Sequence, residues 1–223
     1  MVCMLRPHPI KIFIGCGLRL SKGFYVILWC LFNCKAEMEE YRFYDGRPAG
    51  EECAPMEDRA YDFLDGLHLE YKTLKHPAAF SIEECEKVRT RVNAPVFKNL
   101  FLTNKQQTRF YLLLMPGEKV FKTKYLSAQI NSARLSFAGE DFMMRYLGVT
   151  PGSVTPLGLM NDKENTVTLL IDNDLRECDV FACHPCVNTA SVVMSFEDLT
   201  GKVLPATGHD FQWVTLPDES SIM

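Results

Sequence analysis

The stretch GVTPGSVTPLGLMND, residues 148–162, carries three glycines and two prolines within a chain that is otherwise rich in apolar residues. Glycine lets backbone N–H groups approach a ligand closely because it has no Cβ atom. Pro151 and Pro156 fix φ and reduce the entropy lost when the loop takes one shape. The hydroxyls of Ser153 and Thr155 add further hydrogen-bonding groups. This composition predicts a rigid loop. The loop either binds the oxygen atoms of a ligand or only links a helix to a strand.

The glycine loop, as we call residues 148–162, does not match the common glycine-rich nucleotide motifs. It is neither G-x-x-x-x-G-K-[ST] nor G-x-G-x-x-G after a strand, so nothing indicates a nucleoside triphosphate or dinucleotide site. The chain also lacks G-x-S-x-G, the usual setting of an esterase serine nucleophile.

The N-terminal region differs from the rest of this 223-residue chain. Residues 1–36 contain five basic residues and no acid, and residues 24–32 form an apolar run. That run is shorter than the roughly 20 residues that span a bilayer, and no small-residue cleavage site follows it. We expect residues 1–37 to be a non-domain extension, Met38 to be the initiator, and residues 38–223 to form one domain.

Helical and strand patterns alternate without a regular βαβ order, which favours a mixed α+β fold. Helices are predicted from Pro55, from Ser81 (a capping box with Glu84) and from Phe196, and one or two short helices are predicted within residues 127–148. Strands are predicted in 69–76, at 97–103 and 110–115, on both sides of 172–174, at the start of SVVMS and before residue 216.

The basic residues are concentrated in one band. Residues 87–145 hold eleven Lys or Arg and three acids, whereas the chain as a whole has a net charge of −4. Such a band could hold one phosphate-bearing end of a nucleic acid, and solvated side chains on strand edges would explain the same count.

Three features could carry chemistry. Lys98 lies in the apolar strand FKNLFL, where an ammonium group must reach solvent, a partner or a ligand, and Asn99 beside it offers a donor and an acceptor. His184 and Asn188 could bind a substrate or could be a turn histidine and a capping asparagine. Cys183 and Cys186 could form a redox or metal pair, but nine scattered cysteines are more typical of reduced, buried thiols in a cytoplasmic protein.

Five segments in this order, LKHPAAFSIEE, FKNLFL, the glycine loop, CHPCVNTASVVMSFEDL and ATGHD, together resemble the YbaK/prolyl-tRNA synthetase-associated family of aminoacyl-tRNA editing domains. The resemblance covers about residues 61–216, and the free-standing ProX (PrdX) branch and the inserted editing domain of bacterial prolyl-tRNA synthetases are most similar. It implies a mixed, partly barrel-like β-sheet flanked by helices.

The resemblance also implies roles for single residues. The implied catalytic residues are Lys98, Gly152, Ser153 and His184. The implied substrate-binding residues are His76, Phe80, Ile82, Asn99, Thr155, Asn188 and Thr189. The sequence departs from the family pattern at Cys183 and Cys186, which flank the histidine, and at Leu157, where phenylalanine is common. These departures bear on the shape of the amino-acid pocket.

The activity implied by the resemblance is hydrolysis of mischarged tRNA(Pro), with Ala-tRNA(Pro) as the first candidate substrate and Cys-tRNA(Pro) as the second. A non-catalytic module that binds tRNA or a synthetase is a further alternative. The family reaction needs no metal or other cofactor, since a ribose hydroxyl assists the water. We expect a cytoplasmic monomer that binds the acceptor end of tRNA(Pro), with prolyl-tRNA synthetase as a candidate partner and no membrane partner.

Overall fold

The computed structural model describes residues 41–79 and 82–217, and of residues 82 and 83 it describes the backbone alone. Within these ranges nine strands form two open sheets. The strands are β1 (Arg42–Asp45), β2 (Lys72–Lys75), β3 (Phe97–Asn104), β4 (Phe110–Pro116), β5 (Leu135–Phe137), β6 (Val167–Asp172), β7 (Val180–Cys183), β8 (Ala190–Ser195) and β9 (Phe211–Val214).

Helices connect and cover the sheets. They are α1 (Pro55–Gly66), α2 (Ile82–Val92), α3 (Thr123–Gln129), α4 (Glu140–Phe142), α5 (Phe196–Asp198) and α6 (Leu204–Thr207). A π-helical turn, Met143–Leu147, extends α4, and a second, Leu199–Val203, joins α5 to α6. Short 3-10 turns lie at Pro156–Asn161 and Asn173–Leu175.

The two sheets differ in pairing. Sheet A has the order β1-β2-β8-β7 and is antiparallel throughout. Sheet B has the order β5-β3-β4-β6-β9, antiparallel from β5 to β4 and parallel from β4 to β9. A bridge between Val96 and Ala182 joins the sheets, and the amide of Ala182 donates to the carbonyl of Pro95 at 2.9 Å. The mixed α+β fold predicted from the sequence is confirmed, although neither sheet closes into a barrel.

Strand β3 separates two apolar cores because successive side chains point to opposite faces of a sheet. Phe97 and Phe101 lie in the main core, which also contains residues from α1 and the glycine loop. The side chains of Leu100 and Leu102 lie on the opposite face, in a second core that is covered by α3. The glycine loop therefore packs on one face of β3 and α3 on the other.

Most elements begin where the sequence predicts. The helices at Pro55 and Phe196 are confirmed, as are the paired strands around residues 97–116 and the strands on both sides of 172–174. The helix predicted from Ser81 is described from Ile82 onward. Strands β1 and β5 were not predicted, because they are short edge strands with mostly exposed residues and no clear apolar alternation. Within the described ranges, no helix has the length and apolarity needed to cross a bilayer.

A buried ion pair holds the turn after β4 against the end of β6. The ammonium of Lys119 lies 2.9 Å from Asp172 and 2.6 Å from Asp174, and the side chains of Lys119 and Asp172 are 5% and 0% exposed. Burial raises the pKa of the Asp172 carboxyl, and the neighbouring ammonium opposes that rise.

Replacing Lys119 by methionine should lower the free energy of unfolding by about 3–5 kcal/mol, because it leaves Asp172 buried without its cation. Urea denaturation followed by circular dichroism measures the change. Lys202→Met is the matched control, since Lys202 is itself exposed and its pair with Asp198 should contribute less than about 1 kcal/mol. The double variant Lys119→Met/Asp172→Leu should recover most of the lost stability. Equal destabilisation by Lys119→Met and Lys202→Met would contradict this account.

Candidate active site

The ends of the glycine loop are fixed by side chains at its own C-terminal end. The carboxamide of Asn161 donates to the carbonyl of Leu147 at 2.8 Å. The carboxylate of Asp162 accepts from the amide of Val167 at 2.7 Å and lies 3.2 Å from Nε2 of His209. The abrupt Asn-Asp ending of the loop thus serves to close it and to attach it to β6 and the C-terminal segment.

The tip of the loop is a tight turn. The amide of Ser153 donates to the carbonyl of Thr150 at 3.0 Å, and Gly152 has a φ of +86°, which glycine adopts without strain. Thr155 caps the following 3-10 turn through its hydroxyl, which accepts from the amide of Leu157.

These bonds decide which groups of the loop remain for a ligand. The Ser153 amide and the Thr155 hydroxyl, both predicted to face substrate, are already bonded within the loop. The amide of the exposed Gly152 and the hydroxyl of the buried Ser153 have no hydrogen-bond partner among the described residues. Gly152 therefore offers an open backbone donor at the tip of the loop.

Asn99 connects β3 to the loop. Its Nδ2 donates to the carbonyl of Val154 at 3.1 Å. Its Oδ1 is buried and lacks a hydrogen-bond partner in the described part of the chain. Because the carbonyl of Val154 can only accept, this bond fixes the orientation of the carboxamide and leaves an unsatisfied acceptor beside the loop.

The segment after β2 pairs with the segment before β8. The amides of His76 and Ala79 donate to the carbonyls of Thr189 and Asn188 at 3.0 and 3.3 Å. The ring of His76 is buried and bonded at both nitrogens, Nδ1 to the carbonyl of Pro77 and Nε2 to the hydroxyl of Ser191. His76 thus forms part of the wall of the site, with no ring nitrogen left for a substrate.

His184 is the histidine with an open nitrogen. Its Nδ1 lies 2.9 Å from the carbonyl of Ala190, which only accepts, so Nδ1 carries the proton. Nε2 then holds a lone pair, and no described residue hydrogen-bonds to it. Burial lowers the pKa of both His184 and His76, whose ring centroids are 6.2 Å apart. A neutral His184 can therefore accept a hydrogen bond from a water or a hydroxyl near neutral pH.

The two cysteines that flank His184 lie in the main core. Burial raises the pKa of the Cys183 and Cys186 thiols to about 12, and a hydrogen bond with Thr155 partly opposes the rise at Cys183. Such thiols are poor nucleophiles at neutral pH, which argues against a redox role. The hydrogen bond of Cys183 with Thr155 joins the segment around His184 to the glycine loop. Among residues 41–79 and 82–217 there is no cluster of three or more side chains suited to a metal ion.

Lys98 lies apart from these groups. Its side chain leaves β3 on the face opposite to Asn99, and Nζ donates to the carbonyl of Lys119 at 2.9 Å. The structure thus brings together the loop, Asn99, the two histidines and residues 188–189, and it places Lys98 one residue away on the other face. Phe80 and the side chain of Ile82 lie outside the described residues.

A cavity of about 990 Å³ lies beside the turn that Lys98 contacts, between α2, residues 93–97 and the turns at 116–120 and 174–178. Its charged lining residues are four acids and two bases, namely Glu86, Glu118, Asp174, Glu177, Arg89 and Lys119. This lining repels a phosphate backbone, and the cavity contains none of the residues predicted for the site.

Sequence reasoning missed the groups that support the site. Ser191 holds the His76 ring, and His209 holds Asp162. The segment ATGHD does contain His209, but only the fold shows that this histidine meets the end of the glycine loop. Ser191 is one residue of a strand and has no local signal at all.

Comparisons with known proteins identify the family and the fold. A family model described as "Aminoacyl-tRNA editing domain" matches residues 76–201. The prolyl-tRNA editing protein ProX of Acetoanaerobium sticklandii is 36% identical over 69% of this chain and 93% of its own length. The prolyl-tRNA synthetase associated domain-containing protein 1 of Danio rerio is 31% identical over 72% of this chain and 88% of its own length. The fold is similar to a crystal structure of a proposed trans-editing enzyme for prolyl tRNA synthetase, with a TM-score of 0.57, 17% identity, and coverage of 74% of this chain and all of that one.

Gly148→Ala should destabilise the loop by about 1–3 kcal/mol, because Gly148 has a φ of +65° and a Cβ there would lie 2.9 Å from both Asn161 and Met56. Thermal unfolding measures the loss. Gly201→Ala is the control, since its Cβ would meet nothing within 4 Å, and it should be neutral or slightly stabilising. Equal effects of the two variants would show that the positive φ and close packing at Gly148 are unimportant.

His76 and the half-buried His184 predict a pH dependence of stability. Their pKa values are lower in the folded than in the unfolded protein, so the unfolded chain takes up protons first and the free energy of unfolding should fall as pH drops below about 6.5. His184→Asn, which keeps a donor for the carbonyl of Ala190, should make this fall shallower. Urea titrations between pH 7 and 5 measure it, with His68→Asn as the exposed control. A His184→Asn variant with the full wild-type slope would contradict the prediction.

Proposed function

Because this chain belongs to the aminoacyl-tRNA editing domain family, we propose that it hydrolyses mischarged tRNA(Pro), with Ala-tRNA(Pro) as its substrate. The family gives the class of reaction, hydrolysis of the ester between an amino acid and the terminal ribose of tRNA. The names of the relatives from A. sticklandii and D. rerio support prolyl-tRNA as the RNA. The observation that carries the proposal is the meeting of the glycine loop with Asn99 and the His184 segment.

The loop and His184 supply the two groups that ester hydrolysis requires. The open N–H of Gly152 can donate to the oxyanion that develops on the ester carbonyl, and such a donor is worth about 3–4 kcal/mol of transition-state stabilisation. The lone pair on Nε2 of His184 can orient the attacking water or the ribose hydroxyl that assists it. The hydroxyl of Ser153 lies beside Gly152 for a further contact.

Asn99 is suited to the amino group of the substrate. An α-ammonium requires acceptors, and the buried Oδ1 of Asn99 is an acceptor without a partner in the described part of the protein. Alanine would lie against the neutral, apolar thiols of Cys183 and Cys186, and proline would be excluded by its larger ring. An aliphatic pocket rejects a larger side chain by steric clash more effectively than it rejects a smaller one. Cys-tRNA(Pro) is therefore the competitor that the experiment must include.

Lys98 is proposed to bind the terminal nucleotide. Its ammonium is exposed, and its one hydrogen bond in the described structure is to a carbonyl, which a phosphate or ribose oxygen can replace at little cost. The lysine stem is flexible, so the ammonium can turn from the Lys119 carbonyl toward an RNA end that crosses the start of β3. The RNA end would then contact Lys98 and Asn99 in succession.

The test is a deacylation assay with tRNA(Pro) charged with alanine, cysteine, serine or proline. We expect Ala-tRNA(Pro) to be hydrolysed fastest and Pro-tRNA(Pro) to be spared. Lys98→Ala should slow hydrolysis at least about a hundredfold, as expected for loss of a charged contact to the reacting end, while thermal unfolding stays unchanged. Chains starting at Met1 and at Met38 should be equally active if residues 1–37 are an extension outside the domain.

Lys72→Ala is the matched control, because Lys72 is an exposed strand lysine on sheet A. Wild-type activity in the Lys98→Ala variant would remove Lys98 from the proposed site. If Cys-tRNA(Pro) is hydrolysed faster than Ala-tRNA(Pro), cysteine and not alanine is the amino acid that the protein removes. Binding of tRNA(Pro) without hydrolysis of any charged form would favour the non-catalytic module.

A further inference from the structure

An aromatic side chain is exposed at the free edge of sheet B. Phe137, the last residue of β5, is 63% exposed. It packs edge-on against Phe121, with ring centroids 6.3 Å apart, and it lies opposite Leu102 of β3. Phe137 therefore points to the face of β3 that carries α3, which is the face of Lys98.

The position of Phe137 is unusual for an edge strand. Exposed sheet edges are commonly protected by charged side chains or by proline, because an apolar edge invites pairing with other chains. A large exposed aromatic ring costs solubility and contributes little to the second core. The exposed face of the Phe137 ring is therefore available to pack against a binding partner.

The charge around Phe137 indicates the chemistry of that partner. Residues 98–139 contain seven Lys or Arg and a single acid, Glu118. Lys122, Lys124 and Arg134 are exposed, and none of them forms an ion pair within the described part of the chain. Lys124 lies 6.0 Å from the ring centroid of Tyr125. Exposed aromatic rings among unpaired cations are the features that proteins use to hold nucleic-acid bases and phosphates.

The surface lies within reach of the proposed active site. Helix α3 is anchored to the chain after β9, where the amide of Thr215 donates to Gln129 at 2.8 Å. Leu102, which lies opposite Phe137, is four residues after Lys98. At about 3.3 Å per residue, Lys98 and Leu102 are therefore roughly 13 Å apart along β3. A few stacked nucleotides span that distance.

We propose that this α3–β5 surface, made of Phe121, Lys122, Lys124, Arg134 and Phe137, binds the RNA next to the nucleotide that carries the amino acid. A base stacks on the open face of Phe137, while Lys122, Lys124 and Arg134 contact the phosphates on either side. The inference rests on the proposed function, because it takes the RNA end at Lys98 to be the acceptor end of a tRNA. The acid-lined cavity beside Lys119 directs the RNA away from α2 and toward this surface.

The experiment compares Phe137→Ala, Phe137→Trp and the double variant Lys122→Ala/Lys124→Ala. Phe137→Ala should raise KM for Ala-tRNA(Pro) about tenfold and leave kcat within about twofold, since stacking contributes to binding and not to the chemical step. Phe137→Trp should restore KM. All three should hydrolyse alanine esterified to adenosine, which lacks the neighbouring nucleotides, at the wild-type rate.

The lysines are tested by salt dependence. For uncharged tRNA(Pro), the slope of log affinity against log salt should fall in magnitude by about 1.5 in the double variant, which corresponds to two phosphate contacts. Phe43→Ala is the control for an exposed aromatic on an edge strand, since Phe43 is 55% exposed on sheet A, and Lys72→Ala is the control for charge. Neither control should change KM or the slope.

The outcomes separate this inference from the proposed function. An unchanged KM in Phe137→Ala overturns the inference, and so does an unchanged affinity for uncharged tRNA(Pro) if the wild-type protein is inactive. Weaker binding of Phe137→Ala to prolyl-tRNA synthetase, with RNA binding intact, also overturns it, because the surface would then bind a protein. If the wild-type protein binds tRNA(Pro) in a Phe137-dependent way but hydrolyses no charged form, the surface stands and the proposed function fails.

Discussion

The carboxamide of Asn161 bonded to the carbonyl of Leu147 is the contact on which the site depends. It ties the end of the glycine loop to the residue just before its start, so the loop is closed before any ligand arrives. Asp162 then attaches the closed loop to β6 and to His209. These bonds fix the ends of the loop, and the tight turn at Thr150–Ser153 sets the position of the open amide of Gly152 between them. A preorganised donor loses little entropy when it meets a developing charge.

Strand β3 lets one short segment serve two surfaces. Its alternation sends Asn99 to the glycine loop and Lys98 to the face that carries α3. An amino acid and the RNA that carries it differ in chemistry, since one needs a small neutral wall and the other needs cations and open aromatic rings. Adjacent residues on a strand can meet both needs because their side chains diverge while their backbones stay one peptide apart.

The sequence was sufficient for the fold class, for most long elements and for the segments that meet at the site. Apolar periodicity and the capping signals report local structure directly, which is why α1 and strands β3 and β4 were predicted correctly. Hydrogen bonds between distant segments leave no such signal. The engagement of the Ser153 amide within its own turn, both ring bonds of His76 and the direction of the Lys98 side chain depend on which chain segments become neighbours, and no window of sequence contains that information.

The parallel half of sheet B has a consequence for folding during translation. Strand β6 is almost wholly buried, and it pairs with β4 on one side and with the late strand β9 on the other. While translation continues beyond β6, that apolar strand lacks its neighbour β9. Long-range pairing of this kind is slow and leaves aggregation-prone intermediates. The edge of β6 is therefore open to non-native pairing until β9 has formed beside it.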